Sequence, residues 1–177
     1  NRNPIAFPTI TGELTYIGAE AVERDIAGTK HALEAVGKPV SDGFVAAISP
    51  GSAARVGNAF YEDDEAVVWA CADVLREEYK RITDAGLTVQ IDAPDIAEGW
   101  DQMNPEPSVE DYRAFSRVRI DALNHALEGI NPDLVRFHVC WGSWHGPHTT
   151  DIAFKDIVDL ALLVNANGLT FEAANAR

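Results

Sequence analysis

The segment His138-Val139-Cys140 puts an imidazole and a thiol two residues apart. Side chains two apart on a β-strand share a face, so both would point the same way from a strand over Leu134–Cys140. That strand's carboxyl end is where parallel α/β folds carry their chemistry. Imidazole and thiolate are both zinc ligands. The plainer alternative is a small buried cysteine beside a hydrogen-bonded core histidine. Glu172 ends the following strand, and a carboxylate there can complete a zinc site; alternatively it is an exposed strand-end residue or a partner of Arg177. Asp92 ends the preceding strand in the same way, with a loop-capping role as its alternative. The convergence of these polar residues at strand ends says more than any one of them.

A competing set is His138, Cys140, His145 and His148, a compact structural zinc site. Gly142, Gly146 and Pro147 shape that segment as a surface loop carrying Trp141 and Trp144, so His145 and His148 equally suit a pocket wall or a helix cap. Ser49-Pro50-Gly51-Ser52 offers small residues and backbone amides at a strand's carboxyl end, suited to a carboxylate or phosphate or serving as an ordinary turn. Cys71 reads as helix core, and His31 and His125 as surface positions on helices.

These residues need elements to hold them. An apolar run, Ile5–Ile10, precedes a helix over Ala19–Val36 that stops at Gly37. A second run, Gly43–Ile48, leads into the Ser49–Ser52 loop. The clearest helix opens at Asp63 and Asp64, whose charges suit a helix N-terminus. Val67, Ala70, Val74, Tyr79 and Ile82 mark its inner face, and it ends before Gly86. Leu87–Ile91 is a strand ending at Asp92, followed by a long loop from Ala93 to Pro107. Ser108 with Asp111 reads as a variant capping box opening a helix to about Glu128, stopped by Gly129. After Leu134–Cys140 come a helix from Asp151 to about Val164, a turn at Asn167-Gly168 and a strand over Leu169–Glu172. About five strands alternate with helices, which means parallel strands with helical crossovers. A doubly wound sheet and a (β/α)8 barrel are the candidates, and no Gly-rich dinucleotide fingerprint supports the former.

Acidic residues number 28 and basic ones 14 in 177 residues, a net charge of −14. Such a chain repels phosphate backbones and anionic lipid, which argues against nucleic-acid and membrane partners. No stretch reads as a membrane span or signal peptide. Two cysteines fit a reducing cytoplasm better than a disulfide scaffold. The first residue is Asn, so the expectation is that the true start lies upstream.

Taken together, Ile48-Ser49-Pro50-Gly51-Ser52, Glu78-Tyr79 through Ala85-Gly86, Gln90-Ile91-Asp92-Ala93-Pro94-Asp95, His138-Val139-Cys140-Trp141-Gly142, Gly146-Pro147-His148 and Phe171-Glu172-Ala173-Ala174-Asn175 resemble the catalytic barrel of the cobalamin-independent methionine synthase family. That family sits in a superfamily that includes uroporphyrinogen decarboxylase, and the likeness is to its shorter, single-barrel, methionine synthase II-like members. The resemblance implies an α/β (β/α)8 TIM barrel, of which residues 1–177 form an incomplete piece covering about strands 3–7, within one catalytic domain and without an internal boundary. It implies a zinc ion held by His, Cys, Glu and a second Cys, and no cobalamin. His138, Cys140 and Glu172 match the first three ligands; the second Cys has no counterpart here.

The implied activity is methyl transfer from a 5-methyltetrahydrofolate-type donor to a thiol, homocysteine, with Asp92, Ser49 and Ser52 as substrate contacts. One departure matters: the family carries Glu after the Asp of its QIDEP segment, where it helps bind homocysteine, and Ala93 stands there. The alternatives are alkyl transfer to another thiol, similar to epoxyalkane–coenzyme M transferases, or a metal-free barrel of lyase or binding type. A five-strand piece exposes parallel edges, so a second copy or a complementing fragment is the expected partner.

Overall fold

A computed structural model describes residues 8–143 and 148–172. Four parallel strands form the main sheet. In chain order, β1 is Thr9–Ile10, α1 Ala19–Ala35, β2 Phe44–Ile48, α2 Pro50–Ala53, β3 Gly57–Asn58, α3 Asp64–Asp84, β4 Thr88–Ala93, α4 Pro94–Ala97, α5 Val109–Ala126, β5 Val135–Val139, α6 Val158–Ala161 and β6 Gly168–Phe171. The sheet order is β2-β4-β5-β6, and every pair is parallel. Each crossover steps to the next strand in one direction. A doubly wound sheet would reverse that order at a switch point.

The strands alternate cleanly. Val89, Ile91, Ala93, Val135, Phe137 and Val139 are buried and join Tyr79, Ile82, Ile120 and Leu123 of α3 and α5 in one core. Gln90, Asp92, Arg136, His138 and Thr170 lie on the other face and are half-buried. There Phe44 is 46% exposed and Ile48 44%. Among the described residues the sheet is therefore covered by helices on one side and open on the other.

The three long helices form where the periodicity puts them, and for the local reasons expected. Asp63 caps α3 by accepting from the Ala66 amide at 2.8 Å. The chain leaves α3 through Gly86 at φ +82, a left-handed position that costs an L side chain about 1–2 kcal/mol. Ser108 caps α5, accepting from the Asp111 amide at 3.0 Å and donating to the Asp111 carboxylate at 2.7 Å. Ser108→Ala is expected to lower unfolding stability by about 1 kcal/mol. Urea denaturation checks this: the midpoint should fall with the slope unchanged.

Four expectations need correction. In the Ile5–Ile10 run, residues 5–7 lie outside the described residues, and Thr9–Ile10 pairs with Gly57–Asn58 in a separate two-stranded sheet. The Gly57 amide donates to Pro8 and that of Ala59 to Ile10, both at 2.9 Å, so this strand is used up away from the main sheet. The Ser49–Ser52 loop is the start of α2, with Ser49 as its N-cap. The Ala93–Pro107 loop contains α4 and a 3-10 segment, Glu98–Gln102. The helix expected over Asp151–Val164 is four residues of α6 after a 3-10 turn. Its upstream carbonyls are taken by side chains instead: Trp141 Nε1 donates to Ile152 O and Arg113 Nη1 to Asp156 O. No helix of the described residues is long and apolar enough to cross a membrane.

Candidate metal centre

Register places the site. Asp92 on β4 pairs with His138 on β5, and His138 with Thr170 on β6, so these side chains stand side by side on the open face. Cys140 follows β5 by one residue and continues that face. One ligating atom each of Asp92, His138 and Cys140 lies within 4.8 Å of the other two, and all three residues are half-buried. Among the described residues this is the cluster of that kind. It sits at the carboxyl ends of adjacent parallel strands, with Asp92, expected as a substrate contact, standing beside His138 and Cys140 in place of Glu172.

Each member is held differently. His138 Nδ1 lies 3.0 Å from Thr170 Oγ1, which ties the ring to β6. A hydrogen bond on the second ring nitrogen is the usual way a metal-binding imidazole is oriented. Cys140 Sγ accepts from the Gly142 amide at 3.2 Å. Burial pushes the Cys140 thiol pKa up; the Gly142 amide opposes this, and the charges of Asp92, Glu172 and Glu98 add to the rise. Burial and the neighbouring carboxylates thus disfavour a free thiolate. Asp92 Oδ1 is buried and has no hydrogen-bond partner among the described residues. Such an atom costs about 1–3 kcal/mol unless something else meets it.

Glu172 follows β6, is exposed, and stays outside the 4.8 Å cluster although its charge reaches Cys140. His145 lies outside the described residues. His148 is not in the cluster: its Nδ1 sits 3.0 Å from the buried carboxylate of Asp151. Both line a cavity of about 250 Å³ with Glu98, Asp101, Gln102, Trp141 and Thr150. An apolar cavity of about 430 Å³, with Cys71 in its wall, shares no lining residue with it. Burial raises the Cys71 thiol to about 11, as a core cysteine should behave.

The serines of the Ser49–Ser52 segment are engaged elsewhere. Ser49 Oγ and Ser52 Oγ both donate to Asp95 Oδ1, at 2.5 and 2.7 Å, and all three residues are buried. Burial raises the Asp95 pKa, while the two hydroxyls and the Arg119 charge pull it down less strongly. Tyr79 Oη donates to Ile48 O at 2.6 Å, fixing the end of β2 from behind. Sequence reasoning quotes Asp95 only as the end of a motif, without a role, and passes over Glu98. Glu98 binds Arg55 at 2.8 Å and fills the space that a side chain on Gly142 would need. The one signal for either is position: both follow Asp92 within a turn or two, on the segment that caps β4.

No family model matches the chain. A methionine synthase of Sulfolobus acidocaldarius is 28% identical to it over 108 residues, which are 59% of this chain and 27% of that protein. A solved structure of a B12-independent methionine synthase from Shewanella sp. W3-18-1, in complex with selenomethionine, matches with a TM-score of 0.53 at 20% identity. That match covers 77% of this chain and 35% of the other. The chain spans well under half the length of either protein. It is similar in sequence to one methionine synthase, and it shares with another the parallel strand–helix fold.

Proposed function

We propose that this chain forms part of a zinc-dependent methyltransferase barrel that moves a methyl group from a 5-methyltetrahydrofolate-type donor to the thiol of homocysteine, in the cytoplasm and without cobalamin. The observation that carries the reading is the Asp92, His138 and Cys140 cluster at the carboxyl ends of neighbouring parallel strands. The donors present fit zinc: an imidazole nitrogen, a thiol sulfur and a carboxylate oxygen are its usual ligands. The unpartnered Asp92 Oδ1 and the acidic surroundings of Cys140 fit a cation as well. His138, Cys140 and Glu172 would hold the ion.

Zinc, when bound, supplies the Lewis acidity that lets a substrate thiol lose its proton near neutral pH. The protein's own part is to orient and to enclose. Thr170 fixes the His138 ring, Gly142 fixes the Cys140 sulfur, and Asp92 offers an oxygen to the substrate side. Ser49 and Ser52 border that side from the end of β2; with their hydroxyls on Asp95, any contact they make would come through the backbone. The unpaired edges of β2 and β6 would be covered by further barrel strands, from a second copy or a complementing segment.

Ala93 favours a second reading. It is fully buried among helix-facing side chains and offers no carboxylate to an amino-acid substrate. Zinc-dependent alkyl transfer to a different thiol, similar to epoxyalkane–coenzyme M transferases, keeps the metal and changes both substrates. The first test is zinc content of the purified protein beside His138→Ala and Cys140→Ser. About one zinc per chain, lost in both variants, is expected. A folded, reduced wild type without zinc overturns the reading. Assays of the zinc protein with homocysteine and with 2-mercaptoethanesulfonate separate the two substrate classes.

A further inference from the structure

Resting on the zinc reading above, we infer that Thr170 is a positioning residue that decides which nitrogen of His138 meets the metal. Its hydroxyl oxygen takes the Nδ1 hydrogen, which leaves the Nε2 lone pair to the ion. Distance alone leaves the direction of this bond open. His138 Nδ1 and Thr170 Oγ1 are 3.0 Å apart, and a hydroxyl can donate to a bare ring nitrogen or accept from a protonated one. A neutral imidazole carries one N–H, so the two directions give opposite tautomers. Only acceptance by Thr170 leaves a lone pair on the far nitrogen of the ring.

The surroundings of the ring choose between them. Register sets Asp92 on one side of His138 and Thr170 on the other. Nδ1 is turned to β6, so Nε2 is the nitrogen left for a ligand. With Thr170 as donor, Nε2 would carry a hydrogen in need of an acceptor. Asp92 Oδ1, on the neighbouring strand, is buried without a hydrogen-bond partner among the described residues, so the ring gives it no hydrogen. With Thr170 as acceptor, the one ring N–H is satisfied and the tautomer is fixed for metal binding, as a bond to the second nitrogen does in metal sites. Within β6 no other residue can do this: Gly168, Leu169 and Phe171 have no polar side chain. Thr170 and Glu172 also lie two apart on one face, so the same hydroxyl ties the ring on β5 to the strand that leads to Glu172.

The test reads the tautomer before any metal is added. Ring nitrogen-15 shifts of His138, assigned against His138→Ala, are recorded in zinc-free protein in mildly alkaline buffer, where imidazole is neutral. Zinc affinity is then measured by competition with a chelator. Wild type is expected to hold His138 as the Nδ1–H tautomer, the minor one for histidine in water. Thr170→Val keeps the β-branched shape and removes the hydroxyl. Nε2–H should then predominate, and zinc affinity should fall at least roughly tenfold. Thr170→Ser restores the hydroxyl and should restore both. A residue that merely stabilises β6 would lower the unfolding midpoint in Thr170→Val and leave the tautomer unmoved, which overturns the inference. Wild-type zinc affinity in Thr170→Val overturns it as well. So does a wild type with His138 as Nε2–H, and the wild-type tautomer decides alone should Thr170→Val fail to fold. A wild type that shows Nδ1–H yet binds no zinc overturns the zinc reading instead, and leaves Thr170 as the group that sets the ring.

Discussion

Asp95→Ala should lower unfolding stability by about 3 kcal/mol, and Asp95→Asn by less than about 1 kcal/mol. Asp95 is 2% exposed and accepts both serine hydroxyls on one oxygen. Alanine leaves those hydroxyls with each other, 2.9 Å apart, and opens a cavity against Arg119 and Gly51. Asparagine keeps an oxygen for the serines and removes a buried charge whose burial outweighs the pull of Arg119. The difference should carry a pH signature. Burial holds the folded-state pKa above the unfolded value of about 3.9. The folded protein therefore keeps the proton longer, and wild-type stability falls as pH rises through that window. Asp95→Asn has no such proton, so its stability relative to wild type should improve from about pH 4 towards neutrality. Urea denaturation at several pH values checks both parts; an Asn variant as unstable as the Ala variant would mean that the charge itself holds α2 against α4.

The same network marks the limit of what the sequence discloses. His138 and Cys140 are legible because a period of two needs no tertiary information. Asp92 is legible as a strand end, and α3 and α5 carry their caps and inner faces in the open. Asp95 is not, because its meaning lies in Ser49 and Ser52, 46 and 43 residues earlier, brought together by β2–β4 pairing. The region before α6 misleads for a related reason. Its spacing suits a helix, but Trp141 and Arg113 from distant elements take the carbonyls that helical amides would use. The Ile5–Ile10 run misleads because apolar extension does not say which strand is the partner. Tertiary hydrogen bonding overrides local pattern in each case.

Gly142→Ala should cost metal affinity as well as folding stability. Gly142 sits at φ +82, where an L side chain costs about 1–2 kcal/mol. A Cβ there would also come within 2.6–2.9 Å of the side-chain end of Glu98, which Arg55 holds in place. The Glu98 amide in turn donates to Cys140 O at 3.4 Å. The turn whose Gly142 amide donates to Cys140 Sγ is thus wedged against a fixed carboxylate, so relieving the clash is expected to move that amide relative to the sulfur. Zinc affinity is expected to fall at least roughly tenfold, the size of effect seen when groups that orient ligands are disturbed. Glu98→Ala in the same chain removes the clash and leaves the φ strain, so the double variant should regain part of the affinity and little of the stability. That non-additivity is the measurement to make, since independent sites would simply sum. Wild-type zinc affinity in Gly142→Ala would show that the thiol is positioned by β5 alone and that the Glu98 wedge has no part in the site.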